Sequence, residues 1–71
     1  MNIQPGDKII REMEGFRDGQ FWENPGKVLS VSSEKIVCVV SVDIPRQMVF
    51  DATTGISVHG KDYGWIKNFA Q

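Results

Sequence analysis

Two residues, Cys38 and His59, are the chain's only cysteine and histidine, and thus its only candidates for a thiol nucleophile or an imidazole base. A nucleophile needs an activating base within hydrogen-bond reach. Cys38 lies inside the apolar run I-V-C-V-V, where a buried thiol stays protonated and unreactive. His59 precedes Gly60 and is expected to be a solvated turn residue. We therefore expect no catalytic residue, no metal site, no cofactor and no disulfide.

The positions of the carboxylates favour structural roles over catalytic ones. Asp43, Asp51 and Asp62 each fall at the predicted end of a strand or in a turn, where aspartate usually accepts a hydrogen bond from a nearby backbone N–H. The segment D-A-T-T-G at residues 51–55 lacks the glycine density and the lysine of a phosphate-binding loop. The residues therefore predict a protein that is not an enzyme.

Aromatic residues are better candidates for a functional site than the carboxylates, because exposed rings and guanidinium groups anchor peptides or stack on bases. The polar segment at residues 16–22 is rich in aromatic residues for a connection, and further rings follow near residue 65. The candidate partner-binding residues are Phe16, Arg17, Phe21, Trp22, Arg46, Tyr63 and Trp65. The alternative is that Phe16 and Trp22 close the open ends of a small barrel. We favour this plug for Phe16, and for Trp22 both interpretations stay open.

The elements that position these residues are predicted to be strands. Eight Val and seven Ile stand against a single Leu and two Ala, and β-branched residues favour a pleated surface over a helix. No window shows helical periodicity. Turn signals recur at short intervals, which predicts one all-β domain over residues 1–71, a small SH3-like barrel of five to six short antiparallel strands.

The run at residues 26–42 predicts the scaffold of that barrel. Strands at residues 27–31 and 35–43 form a hairpin around S-S-E, and the second strand is expected to be central and covered on both faces. A first strand is predicted at residues 8–13, with Ile9 and Ile10 as core candidates. Residues 14–26 are predicted to form a long loop ending in an Asn-Pro-Gly turn.

The second half is predicted to complete the sheet. Pro45 and Arg46 are expected to break the pattern before a short strand at residues 47–50, and residues 56–59 are expected to continue it. Residues 65–69 are predicted to form a closing strand with Trp65, Lys67 and Phe69 on one side.

The N-terminal half resembles the KOW motif of transcription-elongation factors and some ribosomal proteins. The matching positions are Gly6, Asp7 and Lys8; Gly15, Phe16 and Gly19; and Gly26, Lys27 and Val28. The resemblance implies an SH3-like barrel and RNA contact. The chain departs from the motif in the six residues 20–25, which separate its glycine turns. The second half resembles, in pattern, small proteins of unassigned function encoded by phages and mobile elements.

Charge and composition indicate the class of partner. The net charge is -1, and basic residues are interleaved with acidic ones, which disfavours a dedicated nucleic-acid groove. The N-terminus lacks the pattern of a signal peptide, and no apolar run approaches the length of a membrane span, so we expect a cytoplasmic protein with no membrane contact.

The sequence thus predicts a non-enzymatic binding module that docks a protein partner through residues 16–22, with Trp22 and Trp65 as anchors. One alternative is binding of RNA or single-stranded DNA. Another is self-association through an open sheet edge. The oligomeric state stays undetermined at this level.

Overall fold

The chain forms five antiparallel strands, and the computed structural model describes residues 2–69. The elements are β1 (Lys8–Glu14), β2 (Phe21–Val31), β3 (Lys35–Ser41), β4 (Pro45–Asp51), a 3₁₀ helix (Lys61–Tyr63) and β5 (Trp65–Ile66). The order in the sheet is β4-β3-β2-β1-β5. The sheet curls into a half-barrel, which confirms the prediction of an all-β, small SH3-like fold. Within residues 2–69 no helix has the length and apolarity to cross a membrane.

Residues 55–58 bridge the two outer strands of this sheet. On one side, the Asp51 N–H donates to the Ile56 carbonyl at 2.8 Å, and the Val58 N–H donates to β4. On the other side, the Ser57 N–H donates to the Gly64 carbonyl at 2.9 Å, and the Ile66 N–H donates to Gly55. The prediction that residues 56–59 continue the sheet is therefore confirmed for Ile56 and Ser57, which form isolated bridges.

The core lies on the inner face of the curl. Within residues 2–69, seven apolar residues are buried there: Ile9, Val28, Ile36, Cys38, Val40, Phe50 and Ile66. β3 contributes every second residue, as the pleat of a half-buried sheet requires, and each of the other strands contributes one. Of the two core candidates in β1, Ile9 is buried and Ile10 is exposed.

The expectation that β3 is central and covered on both faces is wrong. Ile36, Cys38 and Val40 are buried, whereas Val37 and Val39 are only half-buried. The central strand is β2. A single sheet curled on itself has only one interior, so the outward valines of β3 have no second layer above them.

The predicted loop at residues 14–26 is also wrong. β2 begins at Phe21 and pairs with β1 from Glu14↔Phe21 to Lys8↔Lys27, so only residues 15–20 connect the two strands. Pro25 is accommodated because β2 pairs with β3 only from Gly26 onward. At Pro25 the strand therefore has a neighbour on one side only, and the missing N–H costs no ladder hydrogen bond.

Two smaller boundaries differ near the C-terminus. β4 includes Pro45 and Arg46, because proline is tolerated as the first residue of a strand. β5 ends at Ile66, and Ile66 is the buried residue, whereas Trp65 is only partly buried. The closing strand is thus shorter than predicted, and Phe69 lies beyond its end, packed against the core.

Candidate functional site

The β1–β2 hairpin places the two tryptophans on opposite faces. Met13 pairs with Trp22, and its neighbour Glu12 pairs with Trp65. Successive residues of a strand point to opposite faces, so Trp22 lies on the inner face and Trp65 on the outer face. Trp22 and Trp65, the two predicted anchors, therefore do not share one surface.

Phe16 and Trp22 form an exposed aromatic pair at the end of the hairpin. Their ring centroids lie 4.9 Å apart in an edge-to-face arrangement with an interplanar angle of 89°. Phe16 is 91% exposed, so the expectation that it plugs the barrel is wrong. Trp22 is 38% exposed. Both rings lie outside the core because β3 does not extend along this end of the hairpin.

The connection at residues 15–20 fixes where Phe16 is held. The Gly15 N–H donates to the Gln20 carbonyl at 2.8 Å, and the Gln20 N–H donates to the Arg17 carbonyl at 3.0 Å. Gly19 has φ of 77°, the left-handed region that favours glycine. The Arg17 backbone N–H donates to the Gln20 side chain, and Arg17 itself is exposed beside Phe16.

A second aromatic contact lies on the outer face of the same hairpin. Phe21 and Trp65 meet edge to face at a centroid distance of 6.2 Å. The Trp65 indole N–H donates to a Glu12 carboxylate oxygen at 3.1 Å. Lys67 and Glu23 form an ion pair nearby, and the hydrogen bond and charge of Glu23 raise the pKa of Lys67. Trp65 is therefore tied into a polar network, whereas Phe21 remains half-exposed.

Arg11 anchors the base of the hairpin from inside the fold. It is only 5% exposed. Its Nε and Nη2 donate to the Tyr63 carbonyl at 3.0 and 2.7 Å, and its Nη1 donates to Asn24 Oδ1 at 2.9 Å. Burial lowers the pKa of the guanidinium. Within residues 2–69 no carboxylate pairs with it, so neutral oxygen acceptors alone compensate its charge.

Gly64 makes room for this anchor. A Cβ at Gly64 would lie 2.7 Å from Arg11 Nε and 2.6 Å from the Glu12 carbonyl oxygen. Its φ of 99° also favours glycine. The backbone therefore approaches Arg11 closely only because residue 64 has no side chain.

Arg46 and Tyr63 line a small depression beside β4. Its volume is about 200 Å³, and Met48 and His59 also line it. The His59 and Tyr63 rings lie 6.0 Å apart, and both side chains are exposed. The register pair Val40↔Arg46 places Arg46 on the inner face, which is also the face of Trp22. A depression of this size accepts one side chain, not a drug-sized ligand.

Lys8 and Lys27 form a separate basic pair on the outer face. They lie directly opposite each other in β1 and β2, and both are exposed. Neither forms an ion pair with any part of the chain that the structure describes. Like charges opposite one another cost stability, so this pair is a candidate for contact with an anion.

The residues considered for catalysis occupy structural positions. Cys38 is fully buried, and burial raises the pKa of its thiol to about 11. Asp51 Oδ1 accepts hydrogen bonds from the Thr53 and Thr54 N–H groups, which confirms its predicted role in a turn. Across residues 2–69 no three His, Cys, Asp or Glu side chains lie together in a way that could hold a metal ion.

The seven predicted binding residues thus divide into three groups. Phe16, Arg17 and Trp22 lie at the hairpin end, Arg46 and Tyr63 at the depression, and Phe21 and Trp65 on the outer face. Arg11 was missed because its charge suggested a solvated side chain, although it lies two residues from Ile9 and thus on the inner face. Comparison with known proteins finds no matching family model, no matching curated protein and no matching solved structure.

Proposed function

We propose that this protein is a non-enzymatic binding module that docks a protein partner on the aromatic pair Phe16–Trp22. The observation that carries the proposal is the position of Phe16, which is 91% exposed yet held against Trp22 at 4.9 Å. Large exposed rings are poorly accommodated by water and are typical hot spots of protein interfaces. The buried, protonated thiol of Cys38 supports a role without catalysis.

The hairpin supports these rings. Its strands are paired from the barrel to the turn, and Arg11 joins it to the Tyr63 carbonyl. The contact of Phe16 with Trp22 restricts the ring before a partner binds, which reduces the conformational entropy lost on docking.

The charge of the hairpin favours a protein over a nucleic acid at this surface. Residues 11–24 contain four acidic and two basic residues, and one of the basic residues is the buried Arg11. A polyanionic backbone would be repelled by this excess of acid. Partners with basic and apolar side chains are complementary to it.

The test compares two exposed apolar side chains. Phe16→Ala removes the ring from the proposed site, and Ile44→Ala shortens a side chain that is 61% exposed and lies outside the hairpin, as the control. Partners captured from nuclease-treated native lysate by the wild-type protein should be lost with Phe16→Ala and retained with Ile44→Ala. Equal capture by all three proteins would refute docking on Phe16, provided that their thermal midpoints agree.

Nucleic-acid binding is a second candidate, which the Lys8–Lys27 pair supports. Both lysines lie at positions of the KOW resemblance, and they face outward together. Binding through phosphate contacts weakens steeply as salt is added. Titration of short RNA and single-stranded DNA at low salt tests it, with Lys8→Gln/Lys27→Gln as the variant. No binding by the wild-type protein at low salt would exclude this function.

A further inference from the structure

We propose that the partner binds as an added β-strand along the open edge of β2 at Phe21 and Glu23, and that its segment alternates apolar and basic side chains. This inference rests on the proposed function, because it specifies how a protein partner reaches the hairpin. It follows from the direction of the backbone groups and from the side chains that flank them.

Hydrogen bonds at both ends of the hairpin determine which backbone groups face outward. The Val28 N–H donates to the Asp7 carbonyl at 2.9 Å, and the Gly15 N–H donates to the Gln20 carbonyl at 2.8 Å. In an antiparallel pair, hydrogen-bonded residues alternate with non-hydrogen-bonded ones. Trp22 and Asn24 therefore bond to β1, whereas Phe21 and Glu23 direct their N–H and C=O groups away from it.

That outward edge has no neighbour in the part of the chain that the structure describes. β3 pairs with β2 only from Gly26↔Val40 onward, and no loop backbone donates to or accepts from Phe21 or Glu23. Pro25 stands between the open and the paired parts of β2 and has no N–H. An added strand is thereby limited to a short segment, since proline blunts an edge against indiscriminate pairing.

The flanking side chains select the composition of the segment. An added strand alternates its side chains between the two faces of the hairpin. On the inner face they meet Trp22 and Phe16, which favour an apolar residue. On the outer face they meet Phe21 and Glu23, and Glu12 and Glu14 lie behind these residues on β1. Lys67 pairs with Glu23, but the other two carboxylates leave this face acidic, which favours a basic residue. A second copy of this chain would instead bring two acidic hairpins together.

The probe is a synthetic hexapeptide of alternating Lys and Val with blocked ends, titrated into isotopically labelled protein. We expect amide hydrogen exchange at Phe21 and Glu23 to slow at least tenfold, with little change at Trp22 and Asn24, whose amides already bond to β1. A Glu-Val hexapeptide should bind at least tenfold more weakly. Absence of binding by the Lys-Val peptide, or equal binding of both peptides, would overturn the inference.

A backbone substitution separates this inference from the proposed function. Chemical synthesis can replace the Glu23 amide by an ester, which removes one outward N–H and leaves every side chain in place. The ester should weaken Lys-Val binding at least fivefold. If Phe16→Ala abolishes binding and the ester does not weaken it, the aromatic site stands and the edge is wrong. If the ester weakens it and Phe16→Ala does not, the edge stands and the aromatic site is wrong.

Self-association is a further outcome of the same experiment. If the Phe21 and Glu23 amides are protected without peptide, and sedimentation gives the mass of a dimer, the edge binds a second copy. That result would overturn the assignment to a basic partner segment.

Discussion

Replacement of Arg11 by methionine should destabilise the fold far more than its position in a short strand would suggest. Arg11→Met keeps much of the side-chain volume but removes three donated hydrogen bonds, at 2.7 to 3.0 Å. The Tyr63 carbonyl and the Asn24 amide oxygen then lose their donor at a partly buried site.

The magnitude follows from two opposing contributions. Hydrogen bonds from a charged group contribute about 1.5–3 kcal/mol each, so the three bonds of Arg11 have a gross value of about 4.5–9 kcal/mol. Methionine also relieves the cost of burying a charge, which is several kcal/mol for an ion in a protein interior. We expect a net loss of about 2–4 kcal/mol, a large share of the roughly 5–15 kcal/mol that stabilises a typical domain.

Urea unfolding at neutral pH, followed by tryptophan fluorescence, measures this loss. Arg17→Met is the matched control, because Arg17 is exposed in the turn and its side chain donates no hydrogen bond in residues 2–69. Asn24→Ala should cost about 1 kcal/mol and should be non-additive with Arg11→Met, since the two residues share a bond. Equal midpoints for Arg11→Met and Arg17→Met would show that the guanidinium does not anchor the hairpin.

Three further changes test the packing and ionisation of the fold. Gly64→Ala should lower the free energy of unfolding by at least about 2 kcal/mol more than Gly60→Ala, as measured in urea. Both glycines have positive φ, but only Gly64 faces a close backbone atom. Equal losses would count against that close approach. Phe50→Ala should lower the free energy of unfolding by about 3–5 kcal/mol and Phe16→Ala by less than about 1 kcal/mol, since only Phe50 is fully buried. Similar losses for the two variants would contradict the exposure of Phe16. Burial raises the pKa of the Cys38 thiol from 9.0 to about 11, so the unfolded thiol ionises first and the free energy of unfolding falls as pH rises from about 9 through 11. Over this range the wild-type protein should lose about 2 kcal/mol more than Cys38→Val by urea unfolding. Parallel pH profiles would refute the burial of the thiol.

The parts of the fold that the sequence predicts correctly are those with a strong local pattern. The β2–β3 hairpin around residues 32–34 follows from two β-branched runs and a polar break, and Cys38 follows from its apolar neighbours. Asp51 accepts a hydrogen bond from the Thr53 backbone N–H, as its predicted place in a turn implies. In these cases local preference and tertiary environment agree.

The parts that the sequence does not predict depend on neighbours distant along the chain. Asn24, Pro25 and Gly26 are turn formers, yet they lie in a strand because β1 is long enough to pair with them and β3 leaves one side open. Arg11 is buried because the Tyr63 carbonyl, 52 residues away, accepts its hydrogen bonds. Alternation from Ile9 indicates its face, but only the tertiary fold provides its acceptors.

The sequence indicated the aromatic residues of the candidate site but not their arrangement. Tyr63 is exposed, as a binding residue must be, whereas the exposure of Phe16 contradicts the favoured prediction that it plugs the barrel. Aromatic enrichment could not assign Trp22 and Trp65 to opposite faces, because that assignment depends on the register of three strands. The register between β1 and β5 depends on how the whole sheet curls, and neither segment alone contains a signal for it.

The pairing of β1 with β5 also has a consequence for the order of folding. The three hairpins that join β1 to β4 involve neighbouring segments and can form early, whereas Arg11↔Ile66 joins residues near the two ends of the chain. Contacts of such large sequence separation slow folding, because a long loop must close before they form. Until residues 55–66 arrive, the outer edges of β1 and β4 lie unpaired. Aggregation during refolding should therefore compete with this last step and increase with protein concentration.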